Sequence, residues 1–86
     1  MKTVFTFHTD PGHGWLEVSV SAAESVGLSP ADFSNFSYRK GDILYLEEDC
    51  DAPKLLNAMK ALGLEYGTVE RYSENTFIRN LPRIYS

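Results

Sequence analysis

Residues 43–56 read Ile43-Leu44-Tyr45-Leu46-Glu47-Glu48-Asp49-Cys50-Asp51-Ala52-Pro53-Lys54-Leu55-Leu56. The first four positions are all apolar, which predicts a strand covered on both faces and therefore central in a sheet. Glu47, Glu48, Asp49 and Asp51 then form an acidic turn with no Lys or Arg among them. Asp51 is a favoured helix N-cap and Pro53 is tolerated in a first helical turn. Leu55, Leu56, Met59 and Leu62 recur at helical spacing, and Gly63 is a natural stop. A buried strand, a tight acidic turn and an amphipathic helix thus follow one another without a linker.

Upstream, Thr3 to His8 alternate with a period of two, and so do Trp15 to Val20. Two such runs around Asp10-Pro11-Gly12-His13-Gly14 predict a hairpin over about residues 2–20, with Pro11-Gly12 suited to a type II turn. Leu16, Val18 and Val20 fall on one face, and Trp15, Glu17 and Ser19 on the other. Ser21-Ala22-Ala23-Glu24 matches a capping box, predicting a short helix that ends near Val26-Gly27. Ser29-Pro30-Ala31-Asp32 predicts a further helical turn. Phe36-Ser37-Tyr38-Arg39 reads as a short strand and Lys40-Gly41-Asp42 as a turn.

Downstream, Tyr66 to Tyr72 reads as a last strand and Ser73-Glu74-Asn75 as a turn. The tail, Thr76 to Tyr85, is apolar but holds Pro82. That predicts an edge strand or an extended segment packed on the sheet. The expected fold is a single α+β domain over residues 1–86 in the order ββαββαβ. It has two helices on a mostly antiparallel sheet of four to five strands.

Bulk composition narrows the function classes. The 86 residues carry a formal charge of −4 and are 43% hydrophobic, with 5 Phe, 5 Tyr and 1 Trp. Aromatics at this density argue against disorder. The acidic balance disfavours direct nucleic-acid binding, which needs a Lys/Arg footprint. The two helical pieces near residues 21–34 are spaced like part of a helix-turn-helix. They lack the basic residues of a reading helix. Cys50 is the only cysteine, which excludes an internal disulfide and fits a reducing, cytoplasmic setting. No apolar run approaches the roughly 20 residues a membrane span requires, and the N-terminus lacks the pattern of a signal peptide.

Three groups of residues could carry chemistry. His8, Asp10 and His13 crowd the hairpin turn and are candidate metal ligands, with Cys50 or Asp49 as a further donor. Cys50 precedes a helix, but its acidic neighbours oppose the thiolate that nucleophilic chemistry needs. The carboxylates of the acidic turn could form an acid–base pair, but they crowd one turn of a chain too short for an enclosing cleft. The expectation is a non-enzymatic protein without cofactor; the alternative is a metal-binding protein or small metal-dependent enzyme that uses the His8, Asp10 and His13 turn. Clustered charge at Asp42, Glu47, Glu48, Asp49 and Asp51 steers association with a basic protein surface. Tyr45 lies within that cluster, and interface anchors are often Tyr or Trp.

Phe7-His8-Thr9-Asp10-Pro11-Gly12-His13-Gly14-Trp15-Leu16, together with Tyr38-Arg39-Lys40-Gly41-Asp42 and Tyr45-Leu46-Glu47-Glu48-Asp49-Cys50-Asp51-Ala52, resembles a family of small bacterial proteins associated with phages and plasmids. That family brings no assigned activity. The resemblance implies a mobile genetic element and a partner among host proteins, for instance as an inhibitor of host defence or a nucleic-acid mimic. Self-association is expected to go no further than a weak homodimer.

Overall fold

The structure, a computed structural model, describes residues 2–85; residues 1 and 86 at the ends of the expected domain lie outside the described part. The hairpin forms as the alternation predicts. Strand β1 (Thr3–Thr9) pairs antiparallel with β2 (Gly14–Ser19), with Thr9 opposite Gly14 and Thr6 opposite Glu17. Strand β2 runs directly into helix α1 (Val20–Ser25). A 3₁₀ turn (Pro30–Asp32), strand β3 (Tyr38–Lys40) and strand β4 (Ile43–Glu47) follow. Helix α2 (Ala52–Ala61), strand β5 (Tyr66–Tyr72) and a second 3₁₀ turn (Phe77–Asn80) complete the chain.

The strands form one sheet in the order β3-β4-β2-β1-β5. The sheet is mixed rather than uniformly antiparallel: β5 runs parallel to β1, while the other neighbours are antiparallel. The reason is the helix. A helical crossover returns the chain in the direction it left, so β4-α2-β5 yields parallel strands. Both flanks of β4 are already taken by β3 and β2, so β5 lands beside β1.

Local capping differs from the sequence expectation at two places. Ser19, not Ser21, caps α1, its hydroxyl accepting from the Ala22 N–H at 3.0 Å. The Val20 N–H donates to the Asp42 carbonyl at 2.8 Å, and the helix starts two residues earlier than a Ser21 cap would place it. Asp51 stands at the N-cap of α2, yet its carboxylate makes no cap bond because it is turned into the interior. The hairpin turn also departs from type II. Gly12 is not among the glycines with positive φ, which are Gly27, Gly41 and Gly63. Instead the Asp10 carboxylate accepts from the Gly12 and His13 N–H groups at 2.9 and 2.8 Å, a side-chain mimic of a turn.

Two apolar clusters lie on opposite faces of the sheet. On the helix face, Phe5, Leu16, Val18, Leu44 and Leu46 pack against Ala23, Phe33, Ala52, Leu55 and Met59. Fully burying a side chain such as Leu55 contributes about 1.5–3 kcal/mol. On the other face, Trp15, Tyr38 and Tyr45 pack under Ile78, with Ile43 and Leu81 at the margin. Strand β4 is therefore covered on both sides, as its unbroken apolar run predicts.

The tail is not an edge strand. It crosses the tail face as a 3₁₀ turn, then bends round β3 through an isolated antiparallel bridge from Tyr38 to Arg83. The Arg39 N–H donates to the Pro82 carbonyl at 2.9 Å and the Ile84 N–H to the Ser37 carbonyl at 3.3 Å. Ile84 joins the helix-face cluster, and the Tyr85 hydroxyl donates to the Ala31 carbonyl at 2.8 Å. One edge of the sheet is thus closed by the chain's own tail. No described helix is long and apolar enough to cross a membrane.

Candidate functional site

The β1–β2 turn and the β4–α2 turn lie side by side at one end of the sheet, joined by a 3.0 Å bond from the Glu48 N–H to the Gly14 carbonyl. Gly14 is required there. A Cβ at that position would stand 2.6 Å from the Phe7 ring and 3.0 Å from a Glu48 carboxylate oxygen.

The structure separates the acidic residues expected to form one patch. Asp51 is fully buried. Its carboxylate accepts from the Ser34 N–H at 2.9 Å, from the Ser34 hydroxyl at 2.7 Å and from the Ser37 hydroxyl. Lys54 adds an ion pair at 3.3 Å. Burial alone would raise the Asp51 pKa, but these donors together outweigh it and hold the carboxyl below its ordinary value. Glu47 is 9% exposed and also does structural work: its Oε2 accepts from the Asp49 and Cys50 N–H groups at 3.0 and 2.8 Å. Tyr45 lies beneath Phe77, ring centroids 5.5 Å apart. Burial, helped by the Glu17 charge, pushes its phenol above the ordinary value. Asp42 sits on the β3–β4 turn, at the opposite end of β4 from Glu48. The five residues of β4 separate them by roughly 20 Å. Only Glu48 and Asp49 therefore remain as an accessible acidic pair at the turn, and the continuous patch is corrected to that pair.

The expected ligand set His8, Asp10 and His13 is likewise dispersed. The His8 Nε2 lies 2.8 Å from a Glu17 oxygen, and its ring packs edge-on against Tyr45 and Phe77. Asp10 is taken by Arg79, at 2.5 Å from Nε and 3.1 Å from Nη2. That guanidinium, with the turn N–H groups, holds the Asp10 carboxyl far below the carboxylate range, and Asp10 in turn raises Arg79. His13 alone stays free of these contacts. It faces Glu47 and Glu48, and the three offer ligand atoms all within 4.8 Å of one another.

A cleft of about 290 Å³ opens beside this group, lined by His13, Trp15, Phe36, Glu47, Asp49, Cys50 and Arg83. Trp15 is 2% exposed, with Arg79 stacked 5.2 Å from its ring centre. Its indole N–H is the buried side-chain polar atom without a partner among the described residues. Cys50 is exposed, and a hydrogen bond to Glu47, then burial and the surrounding carboxylates, raise its thiol pKa. A thiol with a raised pKa is a poor nucleophile.

The opposite side of the sheet offers a different feature. The Thr3 N–H donates to the Glu65 carbonyl and the Ser73 N–H to the Thr9 carbonyl. Residues 65 and 73 therefore point their backbone groups at β1, and strand alternation makes 67, 69 and 71 do the same. The N–H and C=O groups of Tyr66, Thr68, Glu70 and Tyr72 face outward, along an edge with no strand beside it among the described residues. Val4, Val69, Tyr66 and Tyr72 expose 60%, 55%, 39% and 59% of their surface around that edge. A groove of about 400 Å³, lined by Phe7, Leu56, Tyr66 and Thr68 among others, runs between β5 and α2. Period-two reading located this strand but gave no sign that it would be an edge. Comparison with protein-family models, with curated proteins and with solved structures finds no match.

Proposed function

We propose that this chain is a non-enzymatic protein-binding module whose docking element is the β5 edge. The partner contributes an extended segment that lies against β5 as an added strand, with apolar side chains entering the groove beside α2 and basic residues flanking them. The observation that carries the reading is the contrast between the two edges. The chain closes the β3 edge with its own tail, while β5 keeps four outward-facing residues and an apolar rim on both faces. Small domains usually blunt such an edge, because it templates pairing with other chains.

Charge selects the class of partner. The molecule carries −4; Glu65 and Glu74 flank β5 and Glu70 lies within it, against Arg71 and against Lys2, whose side chain crosses Gly67. A second copy brings the same negative charge, whereas a basic segment is attracted. Glu48 and Asp49 extend the acidic field beyond the groove, since both line it. The resemblance to phage- and plasmid-associated proteins supports a host protein as that partner, in a cytoplasmic setting.

Thr68→Pro tests the proposal. The Thr68 N–H faces outward, so proline removes an edge donor and leaves the ladder to β1 intact. The probe is a panel of Lys-flanked peptides alternating Val and Thr, read by fluorescence anisotropy. Wild-type protein should bind saturably, more weakly at high salt, and Thr68→Pro should reduce affinity at least tenfold with an unchanged circular dichroism spectrum. Equal binding by Thr68→Pro would overturn the proposal. So would a concentration-dependent dimer that Thr68→Pro abolishes, because the edge would then belong to a second copy.

A further inference from the structure

We infer that His13, Glu47 and Glu48 form a binding site for a divalent transition-metal cation of the zinc class, with coordination positions left open toward the neighbouring cleft. This site is separate from the β5 edge and does not depend on it. Imidazole and carboxylate are the ligand types such ions take, at bond lengths of about 2.0–2.2 Å. Two donors on one tetrahedral ion then stand about 3.4 Å apart. The three donor atoms lie within 4.8 Å of one another. None of the ion pairs within 4.0 Å among the described residues involves His13. The imidazole thus stands off both carboxylates by a distance that an ion closes with a contraction of about 1 Å.

The site is part preformed and part adjustable. Glu47 is fixed, because its Oε2 already holds the Asp49 and Cys50 N–H groups. Glu48 leans against Gly14, which has no side chain to displace it. His13 is exposed and free to rotate, while its backbone is pinned by the Asp10 carboxylate at 2.8 Å. One rigid ligand, one confined ligand and one mobile ligand can close on an ion without moving the fold.

The second observation is Trp15. It walls the cleft shared by His13 and Glu47, is 2% exposed, and leaves its indole N–H without an acceptor. A buried donor without a partner is destabilising. A water or carboxylate completing the ion's coordination in that cleft supplies the missing acceptor. His8 has no part in the site, being committed to Glu17.

The test uses untagged full-length protein freed of metal by chelator and titrated with ZnCl₂ by calorimetry, then with CoCl₂ by absorption spectroscopy. We expect one ion per chain, a cobalt ligand-field band, and a rise in Tm with zinc. His13→Ala should abolish binding, Glu48→Gln should weaken it at least tenfold, and His8→Ala should leave it unchanged. Binding that survives His13→Ala with Glu48→Gln would overturn the assignment, as would loss of binding in Cys50→Ser with His13→Ala unaffected. Absence of binding at millimolar zinc would also end it. His13→Ala should bind the β5 peptides as wild type does, which separates failure here from failure of the docking edge.

Discussion

Replacing Asp51 with alanine should be the most damaging single change at the joint between β4 and α2. The carboxylate is fully buried and accepts from the Ser34 N–H, the Ser34 hydroxyl and the Ser37 hydroxyl, with Lys54 at 3.3 Å. A hydrogen bond to a charged group contributes about 1.5–3 kcal/mol, so a naive sum over three would exceed 4 kcal/mol. Two of the orphaned donors are hydroxyls, which can rotate to another acceptor while their oxygens keep the bonds they accept, from the Glu47 N–H at 2.9 Å and the Phe36 N–H at 3.2 Å. The Ser34 N–H has no such freedom. We therefore expect a loss of about 3 kcal/mol, in the range for breaking a buried charged network. For a domain of this size that lowers Tm by roughly 12–24 °C. Total stability for 86 residues is roughly 4–13 kcal/mol, so the variant stands near its limit.

The pH dependence separates this account from simple cavity formation. The Asp51 pKa is held below its ordinary value of 3.8 in the folded state. A depressed folded pKa means that the stabilisation is fully present above the unfolded value and is lost as pH falls through the folded one. Asp51→Asn, which keeps the shape and removes the titration, should flatten the stability profile below about pH 4. Urea unfolding followed by fluorescence of Trp15 between pH 2 and 7 would measure both variants. A loss under 1 kcal/mol for Asp51→Ala, or an acid limb unchanged in Asp51→Asn, would refute the reasoning.

Three other substitutions probe neighbouring contacts. Ile78→Ala removes a fully buried anchor of the tail and should cost about 2–5 kcal/mol, with Trp15 emission shifting to the red as its cover loosens. Gly14→Ala forces a methyl to within 2.6 Å of Phe7 and should cost about 1–3 kcal/mol in chemical denaturation. Arg79→Ala should raise the Asp10 carboxyl pKa toward 3.8, followed by the carboxyl carbon resonance in an NMR titration, because the guanidinium is the largest cause of its depression.

Much of the fold was legible from local pattern. Alternation located β1, β2 and β5, and the apolar run at 43–46 located a doubly covered strand. Gly27, Gly41 and Gly63, all at positive φ, end or turn the elements expected of them. Long-range pairing was not legible. Nothing near Asp10 in sequence announces Arg79, which lies 69 positions away. The acidic turn misled for a related reason. One-dimensional clustering cannot distinguish a carboxylate on the surface from one turned inward to satisfy backbone donors, and Glu47 and Asp51 are of the second kind. The small polar run Ser34-Asn35-Phe36-Ser37 held the available clue, since two serines near a buried strand need acceptors. Similarly, His8, Asp10 and His13 are close in sequence and share one face of the hairpin, yet separate partners claim them: Glu17, Arg79 and the Glu47–Glu48 pair.

The free edge also determines what two copies of this chain could do. A two-fold axis perpendicular to the sheet preserves its faces, so antiparallel self-pairing must oppose residues of like parity. Centred on Val69, Tyr66 meets Tyr72 and Thr68 meets Glu70, with no like charges opposed. Shifted to centre on Glu70, the two Glu70 side chains confront each other, which is destabilising. The registers centred on Val69 and on Thr68, the latter setting Glu65 against Arg71, are therefore open to self-association, but a single seven-residue strand buries less than the roughly 1,000 Å² of a stable interface. The −4 charge on each copy opposes it further. A basic segment that also fills the α2–β5 groove gains apolar contact and attraction together. On these terms the edge favours a foreign strand over its own.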